Sequence, residues 1–139
     1  MKSAGYSGTP LAKKLGIKNG FTIRLLNAPT YYFELFEDFP DGVTISKSKR
    51  GEKEFIHYFE KKASALNTNL PKLRNEIKQS GMIWVSWPKK ASKVETDITE
   101  DTIRELALAI GLVDVKVCAV DLTWSGLKLV IPVKDRKSK

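Results

Sequence analysis

The feature that most constrains the fold is the short run MIWVSW at residues 82–87, in which almost every side chain is apolar. A strand that is apolar on both sides has to be covered on both faces, as in the middle of a parallel sheet. The run stops at Trp87-Pro88, and Lys89, Lys90 and Ser92 follow. Because ligands of open α/β sheets bind outside the carboxyl ends of the strands, this cationic and aromatic loop is a candidate binding site.

Segments typical of strands and helices alternate along the rest of the chain. Strands are predicted at residues 21–26, 43–46, 55–59, 82–87, 113–120 and 127–133, and helices at residues 10–15, 61–79 and 100–110. The alternation implies parallel pairing with right-handed crossovers, and the last two strands follow each other closely enough to form an antiparallel hairpin. The predicted fold class is therefore α/β, a three-layer Rossmann-like domain with a mainly parallel sheet and a C-terminal antiparallel hairpin.

Turn and cap residues mark the ends of the predicted helices. The Thr9 hydroxyl is expected to cap the first helix, with Pro10 at its first position. Gly16 is expected to end this helix, and Gly81 is expected to end the second helix. Pro71 predicts either a kink in the helix at residues 61–79 or two consecutive helices. A short helix with Tyr32, Phe33 and Phe36 as its apolar face is expected after the Asn27-Ala28-Pro29 turn, and Thr99 is expected to cap the last helix.

The length of 139 residues is typical of one domain. Residues 1–133 are predicted to form that domain, and residues 134–139 a disordered basic tail. No apolar stretch approaches the ~18 residues that a membrane span needs, and the start of the chain lacks the core of a signal peptide, so a cytoplasmic protein without a membrane partner is predicted. The single cysteine, Cys118, agrees with a reducing compartment, and the sequence predicts no metal site.

The net charge of +8 favours an anionic partner: a nucleic acid, an acidic protein, a phosphorylated small molecule or an anionic surface. The basic residues form scattered clusters rather than one block. They are Lys13 and Lys14; Lys47, Lys49, Arg50 and Lys53; Lys89, Lys90 and Lys93; and Lys134, Arg136, Lys137 and Lys139. Nucleic-acid binding is therefore an alternative rather than the main hypothesis.

The predicted topology brings four loops to the carboxyl edge of the sheet: those at Asn27, near Glu60, at residues 87–92 and at residues 121–125. The candidate ligand-binding residues are Asn27, Trp87, Lys89, Lys90, Ser92, Asp121, Thr123 and Trp124. Indole rings that stack on a planar group, beside ammonium groups, suit a ligand with a ring and an anionic group. Alternatively, Trp87 closes the end of the sheet, Lys89 and Lys90 are solvated, and Asp121 and Trp124 serve the hairpin turn and its packing.

Several short motifs and single residues of the sequence suggest a specific activity at first, but their context does not support one. Residues 5–8, GYSG, could offer amides to a phosphate but lack the spacing of a phosphate-binding loop. The S-x-x-K match at Ser86 spans a strand and a proline, which cannot place the lysine one helical turn from the serine. His57 lies in the middle of a predicted strand and is expected to be structural, and Cys118 is expected to be a packed, unreactive thiol.

The segments GYSGTPLAKKLGIK, WVSWPKKAS, TDITED and GLVDVKVCAVDLTWSGLKLVI resemble an uncharacterised bacterial family, domain of unknown function 3052. This resemblance implies a small, single-domain, cytoplasmic bacterial protein and no particular activity. More remotely, the order of helix, central strand, helix and terminal hairpin is similar to the second half of class I methyltransferases. Two features of that superfamily are missing: Asn27-Ala28-Pro29 replaces the glycine-rich loop after the first strand, and Ser46 and Lys47 replace the acidic residue that ends the second.

Three hypotheses follow. The first is a domain that binds an anionic or nucleotide-like ligand, or a protein, at the carboxyl edge of its sheet. The second is an enzyme related to degenerate class I methyltransferases, with Lys89, Lys90 and Asp121 as its polar groups. The third is a nucleic-acid-binding protein. The sequence identifies no cofactor, no catalytic residue and no oligomeric state.

Overall fold

The computed structural model describes residues 9–137, which contain one six-stranded sheet with the strand order β2-β1-β3-β4-β6-β5. Neighbours from β2 to β4 are parallel, and β6 runs antiparallel to both β4 and β5. The strands are β1 (Thr22–Leu26), β2 (Thr44–Ile45), β3 (Lys53–Phe59), β4 (Ile77–Pro88), β5 (Val113–Ala119) and β6 (Trp124–Val130). The α-helices are α1 (Leu11–Leu15), α2 (Ala63–Arg74) and α3 (Glu100–Ala109). The mainly parallel α/β sheet with its C-terminal antiparallel hairpin is confirmed.

The two faces of the sheet have separate cores, which gives the predicted three layers. The helical face is covered by α2 and α3, and its core is largely aliphatic, with Ile56, Leu70 and Ile103 fully buried. The aromatic face is covered by α1 and by a single 3₁₀ turn, Tyr32–Leu35. Its core contains Tyr32, Phe55, Phe59, Trp84 and Trp124.

The short α1 is stabilised at its C-terminal end by a glycine and by one tryptophan. Gly16 ends the helix in the left-handed conformation, with φ 87°, which glycine adopts without steric cost. The Trp84 indole N–H donates a 2.8 Å hydrogen bond to the Leu15 carbonyl at that end. The expected position of Pro10 was wrong: Pro10 is extended and precedes the helix, and no side-chain hydrogen bond caps it.

The central strand β4 is longer than predicted. It begins at Ile77, which was assigned to the preceding helix, and Gly81 lies within it instead of ending a helix. A Cβ at Gly81 would lie only 2.8 Å from the Lys53 carbonyl oxygen, so glycine allows β3 to pass close at an irregularity in the register. The helix α2 is correspondingly shorter, and it is one continuous helix that includes Pro71.

Other boundaries follow local chemistry. Thr99 caps α3 as predicted, because its hydroxyl accepts the Thr102 N–H at 3.2 Å while the Thr102 hydroxyl accepts the Thr99 N–H. The helix expected at Tyr32 is only a 3₁₀ turn, and Phe33 is 49% exposed.

Part of the basic tail predicted at residues 134–139 makes defined contacts. Val133–Asp135 form a 3₁₀ turn, and the Arg136 guanidinium donates to the Ile131 carbonyl. Within residues 9–137, no helix has the length and apolarity to cross a membrane.

Candidate functional site

The strand order places a topological switch point between β1 and β3. The chain leaves β1 toward β2 on one side, and β3 and β4 then add on the other side. Open α/β sheets bind ligands in the crevice outside the carboxyl ends of the strands at this point. A cleft of about 540 Å³ lies there, within the size range of small-molecule sites. We call it the switch-point cleft.

The switch-point cleft is built from three segments. The loop after β1, the end of β3 with the residues that follow it, and the first residue of β6 meet around it. Its lining residues are Asn27, Pro29, Tyr31, Phe59, Glu60, Lys61, Lys62 and Trp124. The rings of Phe59 and Trp124 pack edge to face with centroids 5.0 Å apart and are 1% and 8% exposed, so they form an apolar floor for the cleft.

Asn27 joins the two strands that flank the cleft. Its backbone is left-handed, with φ 56°, a conformation that asparagine tolerates better than most residues. Its side-chain amide donates a 3.1 Å hydrogen bond to the carbonyl oxygen of Phe59 at the end of β3. Asn27 therefore lies at the predicted place, where it fixes the geometry of the crevice.

The carboxylate of Glu60 is already occupied by neighbouring donors. One oxygen accepts the N–H groups of Lys61 and Lys62 at 3.0 and 3.2 Å, and the other accepts the Tyr58 hydroxyl at 2.7 Å. Burial and the nearby Glu60 raise the pKa of Tyr58. The side chains of Lys61 and Lys62 are exposed at the mouth of the cleft, where no salt bridge to another residue of the described region holds them.

A smaller cleft of about 330 Å³ lies on the other side of Tyr31, and Asp121 and Thr123 line it. The Tyr31 hydroxyl donates a 2.8 Å hydrogen bond to one oxygen of Asp121. The other oxygen accepts the N–H groups of Thr123 and Trp124, both at 2.8 Å. Burial, followed by the hydrogen bond to Asp121, raises the pKa of Tyr31 to about 12. The Asp121 carboxylate thus organises the β5–β6 turn, as in the alternative interpretation of the sequence.

The remaining predicted residues line neither of these two clefts. Trp87 is 9% exposed and packs in the core of the helical face. The Lys89 N–H donates to the Thr123 carbonyl at 2.7 Å, which joins the loop after β4 to the hairpin. The Ser92 hydroxyl donates to the Lys89 carbonyl at 2.6 Å within a 3₁₀ turn, and Lys90 is exposed. A ligand-binding role for these four residues stays a prediction.

Two residues expected to be structural are confirmed as such. His57 is fully buried, with its ring nitrogens 2.9 Å from the Tyr32 hydroxyl and 2.8 Å from the Ser86 hydroxyl. Burial lowers its pKa to about 3, so the imidazole is neutral. Cys118 is 7% exposed, and burial raises its pKa, which disfavours the reactive thiolate. The GYSG segment at residues 5–8 lies outside the described residues.

The sequence did not predict the part of the site contributed by Tyr31, Phe59, Lys61 and Lys62. A signal was present, because Glu60, Lys61 and Lys62 directly follow a predicted strand, but the loop after β4 combines more aromatic and cationic residues. Within residues 9–137, no group of three or more His, Cys, Asp or Glu side chains is placed to hold a metal ion.

Comparison with known proteins shows the fold. No family model and no curated protein matches the sequence. Solved structures do match: the 1,6-didemethyltoxoflavin-N1-methyltransferase of Burkholderia thailandensis, with bound S-adenosylhomocysteine, has a TM-score of 0.55 and 12% identity over 86% of this chain and 73% of that one. The magnesium protoporphyrin IX methyltransferase of Synechocystis, with bound SAH, has a TM-score of 0.53 and 9% identity over 86% and 77%. The ribosomal protein L11 methylase of Lactobacillus delbrueckii has a TM-score of 0.51 and 10% identity over 86% and 73%. The chain shares the Rossmann-like fold of these methyltransferases.

Proposed function

We propose that this protein is a binding domain whose switch-point cleft takes a small anionic ligand with a planar ring, of the nucleotide type. The observation that carries the proposal is the combination at one crevice of an apolar floor, formed by Phe59 and Trp124, with the exposed cations of Lys61 and Lys62. A base or similar ring packs on this floor beside the half-buried ring of Tyr31, and a phosphate or carboxylate lies near the two lysines.

A binding role is favoured over catalysis by the state of the two carboxylates at this edge. Asp121 accepts three hydrogen bonds from its own turn and from Tyr31, and Glu60 accepts three from Tyr58 and the start of α2. A general base needs a lone pair free to reach the substrate proton. A carboxylate has about four lone-pair positions, and donors within the fold already occupy three of them in each of these two groups.

The second candidate function is an enzyme that uses S-adenosylmethionine, and the bound S-adenosylhomocysteine in a structural neighbour is what raises it. The carboxyl edge of the sheet does not fit that cofactor on the side of β2. The strand β2 ends at Ile45, opposite Ile23, whereas β1 continues to Leu26. The chain after β2 therefore turns away before it reaches the carboxyl edge, where an acidic residue would have to hold a ribose. Pro29 in the loop after β1 also lacks an N–H donor.

The proposal is tested by thermal shift and calorimetry with nucleoside monophosphates, free nucleosides, S-adenosylmethionine and S-adenosylhomocysteine. A nucleotide at 100 times its dissociation constant is expected to add about 2.7 kcal/mol of stability. The variant Lys61→Gln/Lys62→Gln is expected to weaken binding, while Lys47→Gln/Lys49→Gln, which removes the same charge from an exposed loop, is expected to leave it unchanged.

Absence of any shift with the nucleotides, or equal losses in both variants, would contradict the proposal. Stabilisation by S-adenosylmethionine and not by the nucleotides would favour the enzyme instead.

A further inference from the structure

A row of lysines lies on the aromatic face of the sheet, away from the lining of the switch-point cleft. Lys116 of β5 and Lys128 of β6 are directly opposite each other in the antiparallel register. Lys128 also approaches the end of α1, because a Cβ at Gly16 would lie 4.0 Å from its ammonium nitrogen. Lys18 follows Gly16 by two residues, and Lys89 follows the carboxyl end of β4. We call Lys18, Lys128, Lys116 and Lys89 the lysine row.

The charges of the row act on one another and on the same neighbours. Burial lowers the pKa of Lys128, and the charges of Lys116 and Lys18 lower it further. Lys116 and Lys89 both oppose the rise that burial causes in the pKa of the Cys118 thiol. The charges of Lys18, Lys116 and Lys128 therefore act on one another, and Lys116 and Lys89 share Cys118 as a neighbour.

Acidic residues of the described region do not balance the lysine row. No salt bridge involves Lys18, Lys116 or Lys128 within residues 9–137. The acidic residue of β5, Asp114, pairs with Arg104 of α3 on the opposite face, at 3.1 Å. Like charges directly opposite each other on one face destabilise a sheet, so the fold carries an unfavourable arrangement here. A bound polyanion removes that cost.

We propose that the lysine row binds the phosphate backbone of a single-stranded nucleic acid. Lys116 and Lys128 lie side by side across the hairpin, and Lys89 lies farther along the sheet at the carboxyl end of β4, so the row offers successive contacts to a linear polyanion. Lys116 and Lys128 lie on a flat two-stranded hairpin rather than on a helix that could enter a duplex groove. Lys89 adjoins the hairpin turn through the hydrogen bond to Thr123, which lines the smaller cleft together with Tyr31. An aromatic ring near a cationic surface suits the bases and the backbone of a single strand.

The test is fluorescence anisotropy of the full chain with a labelled oligonucleotide of about 16 nucleotides. Affinities are measured over a series of salt concentrations for the wild type and for Lys116→Gln/Lys128→Gln. Each lost phosphate contact lowers the slope of log affinity against log salt by about 0.7 for a single strand, so the double variant is expected to lower it by about 1.4. Lys47→Gln/Lys49→Gln has the same net charge and is expected to keep the wild-type slope.

Further variants separate a binding role from a folding defect. Lys116→Arg/Lys128→Arg keeps both charges and is expected to retain the slope. Lys116→Gln/Lys128→Gln is expected to melt at the same or a higher temperature than the wild type, because it removes a like-charge pair.

Three results would overturn the proposal: no binding by the wild type at low salt, an equal loss of slope in Lys47→Gln/Lys49→Gln, or duplex binding as tight as single-strand binding and equally dependent on Lys116 and Lys128. The proposal of nucleotide binding in the switch-point cleft depends on Lys61 and Lys62 and not on the lysine row. A failure of nucleotide binding would therefore not decide whether the lysine row binds a single strand.

Discussion

The two faces of the sheet are covered in different ways. On the helical face, the twelve-residue α2 and the ten-residue α3 bury a core of leucine and isoleucine. On the aromatic face, the backbone cover is the five-residue α1 and one 3₁₀ turn, and the volume is filled by large rings such as Tyr32 and Trp84. A helix as short as α1 is not stable alone. Its conformation therefore depends on the side chains beneath it.

This difference places the candidate functional features. The switch-point cleft is lined by rings of the aromatic face, and the lysine row lies on the same face. Regular helices leave little open surface over a sheet, whereas a thin cover leaves crevices between large side chains. The aromatic face is also the one with a buried polar pair, His57 and Ser86. The following predictions test how far the two faces behave differently.

The largest expected effect comes from Trp84, which supports α1. Trp84→Ala should lower the free energy of unfolding by about 3–5 kcal/mol, because it removes a fully buried ring. It also removes the hydrogen bond to Leu15, so the amides of α1 should lose their protection against hydrogen exchange. Leu66→Ala on the helical face should cost about 2–5 kcal/mol and leave α1 protected. If the α1 amides were equally protected against hydrogen exchange in both variants, the conformation of α1 would not depend on Trp84.

A smaller effect, confined to acid, is expected from His57. The folded-state pKa of about 3 lies below the ordinary value of 6.5, so the unfolded chain binds the proton more strongly. The resulting stability is complete above pH 6.5 and is lost as the pH falls toward 3, with a slope that approaches about 1.4 kcal/mol per pH unit. Urea unfolding between pH 7 and about 5 measures it. His57→Gln should flatten this slope, whereas Leu66→Ala should keep it; a slope that persists without the imidazole would assign the effect to other groups.

The smallest of the three effects concerns Gly126, where β6 passes under Trp84. An added Cβ would lie 3.0 Å from the Trp84 ring and 3.3 Å from the Ser86 hydroxyl. Gly126→Ala should therefore destabilise the fold by about 1–3 kcal/mol through overpacking. Ser125→Ala, one residue away and half-buried, should change stability by less than about 0.5 kcal/mol in the same denaturant titration. A neutral Gly126→Ala would mean that the aromatic core can rearrange freely.

The sequence predicted elements whose signals are local. The apolar run at residues 82–87 and the Thr99 cap needed only their own residues, and the hairpin needed only its two strands and the short connection between them. The first half of β4 was missed because Lys78, Gln79 and Ser80 are polar, and their strand conformation depends on pairing near Lys53. A glycine after a helical pattern is typical of a helix end. Gly81 instead allows β3 to approach closely at Lys53, which is distant in the sequence.

The sequence predicted the site residues that lie at the ends of strands, but not the residues that the following loops bring to the site. Asn27 and Trp124 were found because each lies at a strand end on the carboxyl edge. The sequence did not show how the chain turns afterwards. After Pro88 it enters a 3₁₀ turn that carries Lys90 and Ser92 away from the clefts. Tyr31 was missed because its position depends on its contact with Asp121, ninety residues later.

The position of Lys116 has a further consequence for how the protein behaves at high concentration. The strand β5 is at the edge of the sheet, and Val115 and Val117 on either side of Lys116 are 52% and 50% exposed. An exposed apolar edge strand can pair with the same strand of another molecule, and a lysine within it is a common protection. Lys116 is therefore expected to favour solubility as well as to form part of a basic surface. The charge that we propose attracts a polyanion is also expected to keep two copies of the chain from pairing edge to edge.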